Sequence, residues 1–325
     1  MKQLFIIPAI LALLLGFNMD LKAQDVYFSQ FYANPIYLNS ALAGSEGNPR
    51  LTLAHRQQWS NLQAYNASYF SFDTPLGKQS GLAIHALNDQ QMDGVINNNA
   101  IGTTLSHRIE LNNRAIIGGG ISLNYFQKSF DWNKLTFEDQ MRAGSSNRYP
   151  TAERFGQSRT NMVDVGVGFV YAAENLVAGL NISHINTPKE RFNPDSDTSL
   201  PRRYTAHIAY SFHKFSYGKQ AYSITPSIVY ENQAGMDYMN VGGYWNNNFL
   251  TLGTWYRVKQ AMVFTVGFSY QQFNLGYSYD HSLQNAQSNY GATNEFTLSY
   301  RFEWKGKDPS KNYKGKCPDL YKNLR

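Results

Sequence analysis

Few residues in this chain carry the types and spacing that chemistry needs. His207 and His213 alternate onto one side of the stretch YTAHIAYSFH. Imidazole pairs hold metal ions, but six extended residues put these two about 20 Å apart. They cannot chelate one ion alone, and filling a polar face is the simpler reading. The other five histidines, at 55, 85, 107, 184 and 281, are scattered. In NPDSDTS, Asp195, Asp197 and Ser199 alternate as the start of a calcium loop does. The glycine at its sixth position and the glutamate at its twelfth are missing, which favours a solvated loop. No Gly-x-Ser-x-Gly elbow is present to activate a serine. The triplets Asn66-Ala67-Ser68 and Asn181-Ile182-Ser183 fall on strand-like stretches, where a glycosylation signal carries no weight. No catalytic residue, cofactor or metal is expected, and the chain is read as a non-enzyme.

What remains is the framework. Residues 1–23 have the form of an export signal: Lys2, an apolar run from Leu4 to Phe17, and a small residue, Ala23. No cysteine follows the run, so this is not a lipoprotein signal. The single cysteine, Cys317, permits no intrachain disulfide. A formal charge of +6, with no basic run interleaved with aromatics, gives no reason to expect nucleic acid. The chain is 15% aromatic and only 16% charged, with 25 glycines. Beyond the signal, no apolar run approaches the ~20 residues of a membrane helix. An exported, Tyr-, Phe- and Gly-rich chain without a helical span points to all-β structure.

The periodicity agrees. In NMVDVGVGFVY, Val163, Val165, Val167, Phe169 and Tyr171 share one face, and Asp164, Gly166 and Gly168 the other. That period of two marks a strand. Similar alternation recurs around Ile121, Ile208, Phe264 and Phe296. A soluble sandwich would turn the apolar face inward, and a membrane barrel would turn it to lipid. The polar faces are rich in Gly and Ser, as a crowded interior needs. The apolar faces end in Tyr, Phe or Trp, as an interfacial girdle needs. We therefore expect a transmembrane antiparallel β-barrel over 50–303 with about fourteen strands. They are placed near 50–59, 65–76, 81–93, 96–112, 114–131, 161–174, 176–188, 203–215, 220–236, 237–248, 249–259, 261–271, 273–283 and 293–303. With that count, the long connections 132–160, 189–202 and QNAQSNYGAT all fall at one end. The tight turns fall mostly at the other, which is the outer-membrane pattern. Both termini would then be periplasmic. The tail 304–325, with seven basic and two acidic residues past Trp304, cannot enter lipid.

Two segments are left without a role by the barrel itself. The stretch 24–49, QDVYFSQFYANPIYLNSALAGSEGNP, has an aromatic set of Tyr27, Phe28, Phe31, Tyr32 and Tyr37. Something must cover those rings. Phe28, Phe31, Tyr32 and Tyr37 are expected to pack in the barrel mouth or against periplasmic turns as a plug, or to form a structured lead-in beneath the barrel. The connection 132–160 mixes Arg142, Arg148 and Arg154 with Trp132, Phe137, Tyr149 and Phe155. Arginine and aromatics anchor protein contacts, although a solvated loop packing on itself has the same composition.

The elements Phe28-Ser29-Gln30-Phe31, Asn34-Pro35 and Leu42-Ala43-Gly44, with HRQQW at His55–Trp59, resemble the PorP/SprF family of type IX secretion outer-membrane barrels. So does YDHSLQNAQSNYGATNEFTLSYRF at Tyr279–Phe302. The resemblance covers nearly the whole chain after the signal. It implies a role in secretion of large surface proteins and in gliding. It implies as partners the C-terminal domain of a secreted adhesin and other type IX secretion components, with outer-membrane lipid around the barrel. The expectation is a barrel that binds and anchors an adhesin; a porin-like small-solute channel is the alternative.

Overall fold

Met162 and Asp164 are buried while Val163 and Phe169 are 56% and 49% exposed, so this strand turns Asp164 inward and Val163, Val167 and Phe169 outward. The same inversion of a soluble protein's pattern holds around the molecule. The computed structural model describes residues 25–62, 64–112, 115–141, 151–152, 156–192, 198–216, 219–284 and 290–303. Expectations for the export signal 1–23, the tail 304–325 and Cys317 fall outside these residues.

Fifteen strand segments form one sheet. They are β1 (Arg50–Gln58), β2 (Tyr65–Leu76), β3 (Ser80–Gln91), β4 (Ile96–Asn112), β5 (Ala115–Phe130), β6 (Arg159–Ala173), β7 (Leu176–Ser183) and β8 (Arg203–Tyr210). There follow β9 (Phe212–Ser216), β10 (Lys219–Gln233), β11 (Met236–Asn246), β12 (Leu250–Arg257), β13 (Ala261–Tyr270), β14 (Phe273–Ser282) and β15 (Thr293–Arg301). Consecutive strands pair antiparallel, and β15 returns to β1 with Leu53 opposite Leu298, which closes the ring. β8 and β9 lie end to end along β10, broken only at Ser211. The fifteen segments thus make fourteen staves, as the periodicity predicts. Closure leaves no open edge, the condition for a sheet in lipid.

The expected strand over 176–188 is shorter in the structure. β7 stops at Ser183 because His184 takes a left-handed conformation, φ 57°, and turns its ring inward to bond Asp164. The long connections 131–158, 184–202 and 283–292 share one end of the barrel. The turns 77–79, 174–175 and 271–272 share the other. We call these the loop end and the turn end.

The outer surface is an apolar belt that includes Ile101, Leu105, Ile121, Leu123, Leu180 and Leu275, each more than half exposed. At the turn end it finishes in paired rings: Phe249 with Phe268, Phe273 with Tyr300, and Tyr300 with Phe302. Exposed Tyr125, Tyr204, Tyr256 and Tyr279 edge it toward the loop end. An apolar band between aromatic girdles is how a barrel matches hydrocarbon and headgroup layers.

The lumen is occupied. The chain from Asp25 to Pro49 runs down through it, from Gln233 and His184 at the loop end to the Thr74–Gly81 turn at the other. On the way it forms a short helix, Pro35–Leu38, and a 3-10 turn, Ser40–Leu42. The lumen glycines make room for this backbone. A Cβ on Gly120 would sit 2.4 Å from the Ser40 carbonyl, and Gly44 adopts φ +63° where its Cβ would meet Gly81 and the Thr74 carbonyl. Gly120→Val should therefore displace the 3-10 turn and cost about 1–3 kcal/mol. Limited proteolysis should then cut within 25–49 faster than in the parent chain, while β-sheet circular dichroism is kept.

Candidate functional site

Ser29 and Gln30 enter a buried network of side chains from four strands. The Ser29 amide donates to Glu295 Oε2 at 2.7 Å, and the Gln30 amide to Oε1 at 3.0 Å. Arg56 donates to the same carboxylate at 3.2 Å and to Ser29 Oγ at 2.8 Å. Arg257 donates to Asp280 at 3.0 Å and to Ser29 Oγ at 2.8 Å. Ser29 Oγ in turn donates to Asp280 at 2.6 Å. Two arginines thus face two carboxylates around one hydroxyl, all almost fully buried. Buried charges persist when paired and hydrogen-bonded, and here the lumen segment supplies three of the donors, while Asp280 Oδ1 receives none. Gln30 also donates from Nε2 to the Glu295 carbonyl and accepts from Thr297 Oγ1.

The aromatic residues of the segment pack on either side of this network. Phe28 meets Tyr37 at 5.0 Å and Tyr69 at 5.8 Å, and Tyr37 meets Tyr69 at 5.4 Å. Phe31 stands edge-on to Trp255 at 4.6 Å, and Tyr32 to Tyr244 at 4.3 Å. Each wall ring here lies on an inward-facing strand position.

A second set of bonds holds the loop end. Asp25 bonds His184 Nε2 at 2.6 Å, and His184 Nδ1 bonds Asp164 at 2.9 Å. Asn124 donates to Asp164, and Arg203 donates to the Tyr37 hydroxyl at 2.8 Å and lies 3.6 Å from Asp25. Burial by itself lowers the His184 pKa, but the charge of Asp25, with the hydrogen bonds the imidazolium donates to Asp164 and Asp25, lifts it to about 9. The raised value sets a sign. The His184 contribution is complete below the unfolded value near 6.5 and disappears as pH rises through about 9. Protection of residues 25–40 from hydrogen exchange should accordingly weaken between pH 7 and 10, and His184→Gln should flatten that dependence. A parent chain with pH-independent protection would contradict it.

Toward the turn end, Asn39 Nδ2 reaches the Phe169 and Leu180 carbonyls and His207. His207 faces the lumen as its phase predicts, in contact with the segment. The Ala43 carbonyl accepts from Ser106 and Arg108, each at 2.7 Å. Gly44 donates to Asp73, which also takes a two-pronged bond from Arg50. Glu46 then joins Arg50 and Arg301.

Above the segment, at the loop end, lies a vestibule of about 490 Å³. Its floor is Asp25, Val26 and Tyr27, and its walls include Trp59, Tyr65, Asp89, Tyr238 and Gln260. Tyr27 stacks on Tyr238 at 5.1 Å and lies under Arg257 at 4.7 Å. The two long connections lean together beside it. Phe130 contacts both Trp132, at 5.1 Å, and Phe192, at 4.7 Å. Lys128 and Glu190 form a buried pair at 2.9 Å.

Of the loop residues singled out in the sequence, Trp132 is half-buried on Phe130. Phe137 is also half-buried, and its amide donates to Gln140 Oε1. Arg142, Arg148, Tyr149, Arg154 and Phe155 lie outside the described residues, as do Asp195 and Asp197. Trp132 and Phe137 sit in the loops, apart from the lumen rings. Sequence reasoning missed Ser29, Arg56, Arg257, Asp280 and Glu295 as one group. The available signal was phase: each charged member falls on an inward position of its strand, where a charge must find an opposite partner. No group of three or more metal-ligating side chains occurs among the described residues.

The chain matches the family described as "Type IX secretion system membrane protein PorP/SprF" over residues 20–300. No curated protein matches. Among solved structures, it is similar to the Pseudomonas putida toluene transporter TodX, at 11% identity and TM-score 0.48, covering 86% of this chain and 95% of that one. It is similar to the Ralstonia pickettii toluene transporter TbuX at 9% and 0.47, covering 82% and 93%. It is similar also to the translocator domain of autotransporter NalP from Neisseria meningitidis at 12% and 0.42, covering 86% and 100%.

Proposed function

The chain belongs to the PorP/SprF family of type IX secretion system membrane proteins, and from that premise we propose that it is a closed outer-membrane post which receives a secreted surface adhesin by its C-terminal domain and holds it there. The observation that carries this reading is the occupied lumen. The segment from Asp25 bonds to strands all around the ring, from Glu295 and Asp73 to His207 and Asn240. A barrel filled along its length transmits little solute, so its work falls to what it presents at its ends.

In this reading the loop end faces outward and the turn end faces the periplasm, following the usual sorting of long and short connections. Asp25, bonded to Gln233 and His184, then lies toward the outside and Phe302 toward the periplasm, in place of the periplasmic start expected for the segment. The paired connections around Trp132, Phe137 and Phe192, with the arginines of 142–154, supply the contact for the adhesin domain. The vestibule beside them offers tyrosine, tryptophan and glutamine to a chain end. The protein works by binding, without a reacting group, and alongside other components of the secretion apparatus. Its role in gliding follows from the cargo it retains.

The test is attachment. Shortening both 133–157 and 186–200 should abolish co-purification of the adhesin from native outer membrane in mild detergent, with the barrel still resistant to unfolding in cold detergent. Undiminished attachment would overturn the reading. A channel has no specific observation in its favour while the segment is seated.

A further inference from the structure

We infer that the outer wall around β1–β4 and β13–β15 is a lipid site, holding one acyl chain with its neutral ester or hydroxyl end on His55, Asn88 and Asn99. A groove of about 820 Å³ indents this wall. Leu53, Phe70, Phe268, Leu275, Phe296 and Leu298 line it. Its hollow comes from small side chains in the outward rows: Ser68 stands opposite His55, and Ala86 opposite Phe70. Elsewhere such positions carry Ile84, Ile101 or Leu105.

On the inner side of the same wall, Gln30 donates to the Glu295 carbonyl of β15, and Phe28 packs with Ala54 and Ala67. The groove and the Ser29 network are therefore two faces of one piece of sheet.

The register sets the ligand chemistry. Phe296, His55, Ser68, Asn88 and Asn99 are successive cross-strand neighbours in one outward row. The row is apolar at Phe296 and polar from His55 onward. His55 Nδ1 pairs with Ser68 Oγ at 3.0 Å, and Asn88 donates to Asn99 at 2.7 Å. An asparagine amide offers four hydrogen-bonding positions, so each pair keeps capacity for a ligand. Polar side chains on a lipid-facing surface are costly unless bonded. Bulk lipid is as apolar as the groove, so burial alone gives no preference for a bound chain. Retention must come from these hydrogen bonds, which are strong at low dielectric. No lysine, arginine, aspartate or glutamate lines the groove. That selects the ester or hydroxyl region of a lipid over its phosphate. The occupant is a lipid because the groove is continuous with the belt that faces hydrocarbon.

The experiment uses the full chain reconstituted in bilayers with a phospholipid carrying a photoreactive diazirine on its acyl chain. Peptide mapping after irradiation should find label concentrated on 51–58, 65–76, 261–270, 273–282 and 293–301, the strands that carry the apolar lining. Ser68→Phe with Ala86→Phe, which fills the hollow, should cut that label about tenfold and leave the rest of the belt unchanged. His55→Leu, removing one hydrogen bond, should reduce it by a similar factor. Ala206→Phe, on the lipid face of β8, should have no effect. Label spread evenly around the belt of the parent chain would overturn the proposal even if the filled variants fail to insert. Unchanged label in a folded Ser68→Phe, Ala86→Phe variant would overturn it equally.

Discussion

Deleting residues 25–44 should turn a silent barrel into a conducting one. In planar bilayers the full chain is expected to give no steady current, and the deletion variant a persistent one. The physical basis is the division of labour between wall and filling. The wall is held by a closed antiparallel ladder that needs nothing from the lumen segment: β1 pairs with β15 over eight positions and with β2 over nine. Eight-stranded barrels are filled by their own side chains, whereas those of sixteen or more hold water. Fourteen staves with an inner face containing Gly81, Gly102, Gly118, Gly120, Gly166, Gly168 and Gly179 lie between these limits. Among these, Gly81, Gly120 and Gly168 leave room for the segment from Asn39 to Ala43. After deletion, Arg56, Arg257, Asp280 and Glu295 still neutralise one another, and lumen water solvates what the segment solvated. The barrel should therefore persist. Peptide 25–44 added in trans should close it again. A deletion variant that folds and stays silent would show that the wall side chains or the loops shut the bore, and the segment's part in closing it would be lost.

Glu295→Ala should be the most damaging single substitution in the lumen. It strips acceptors from the Ser29 and Gln30 amides and leaves the Arg56 guanidinium, 4% exposed, one carboxylate short. Removing one partner of a buried pair costs about 3–5 kcal/mol. The loss should appear as a fall in the urea midpoint of the reconstituted barrel. Glu295→Gln, which keeps acceptor capacity and shape, should lose clearly less. The double variant Arg56→Ala, Glu295→Ala should lose less than the two single losses added together, since the cost lies in the orphaned charge. Additive losses would mean that the two side chains act independently. The substitution should also release the segment, so intermittent conductance is expected in Glu295→Ala and absent in Glu295→Gln.

Much of the wall was legible in the chain, and particular residues show why. Val163 to Tyr171, apart from the inward Val170, and Glu295 to Arg301 alternate in character, and alternation is a local property fixed by the pleat. Strand boundaries fall within a few residues of their expected places because Asn, Gly and Gln pairs punctuate them. β7 is the exception. The local pattern predicts a strand continuing through Ile185 to Pro188, but His184 leaves the ladder for two carboxylates, Asp164 and Asp25, that lie 20 and 159 residues away. No local pattern carries that information.

The sequence by itself determined that this protein is a barrel in a membrane, which side of each strand meets lipid, and which end gathers the long connections. Those follow from a period of two, from hydropathy and from chain parity, all of which are readable along one dimension. Only the tertiary structure decided what the inward residues do. Arg56, Arg257, Asp280 and Glu295 stand far apart in the chain, and their meeting on Ser29 depends on the register of strands and the closure of the ring. Ring closure brings β15 beside β1, and the same closure turns FSQF from an uncovered aromatic stretch into the filling of the lumen.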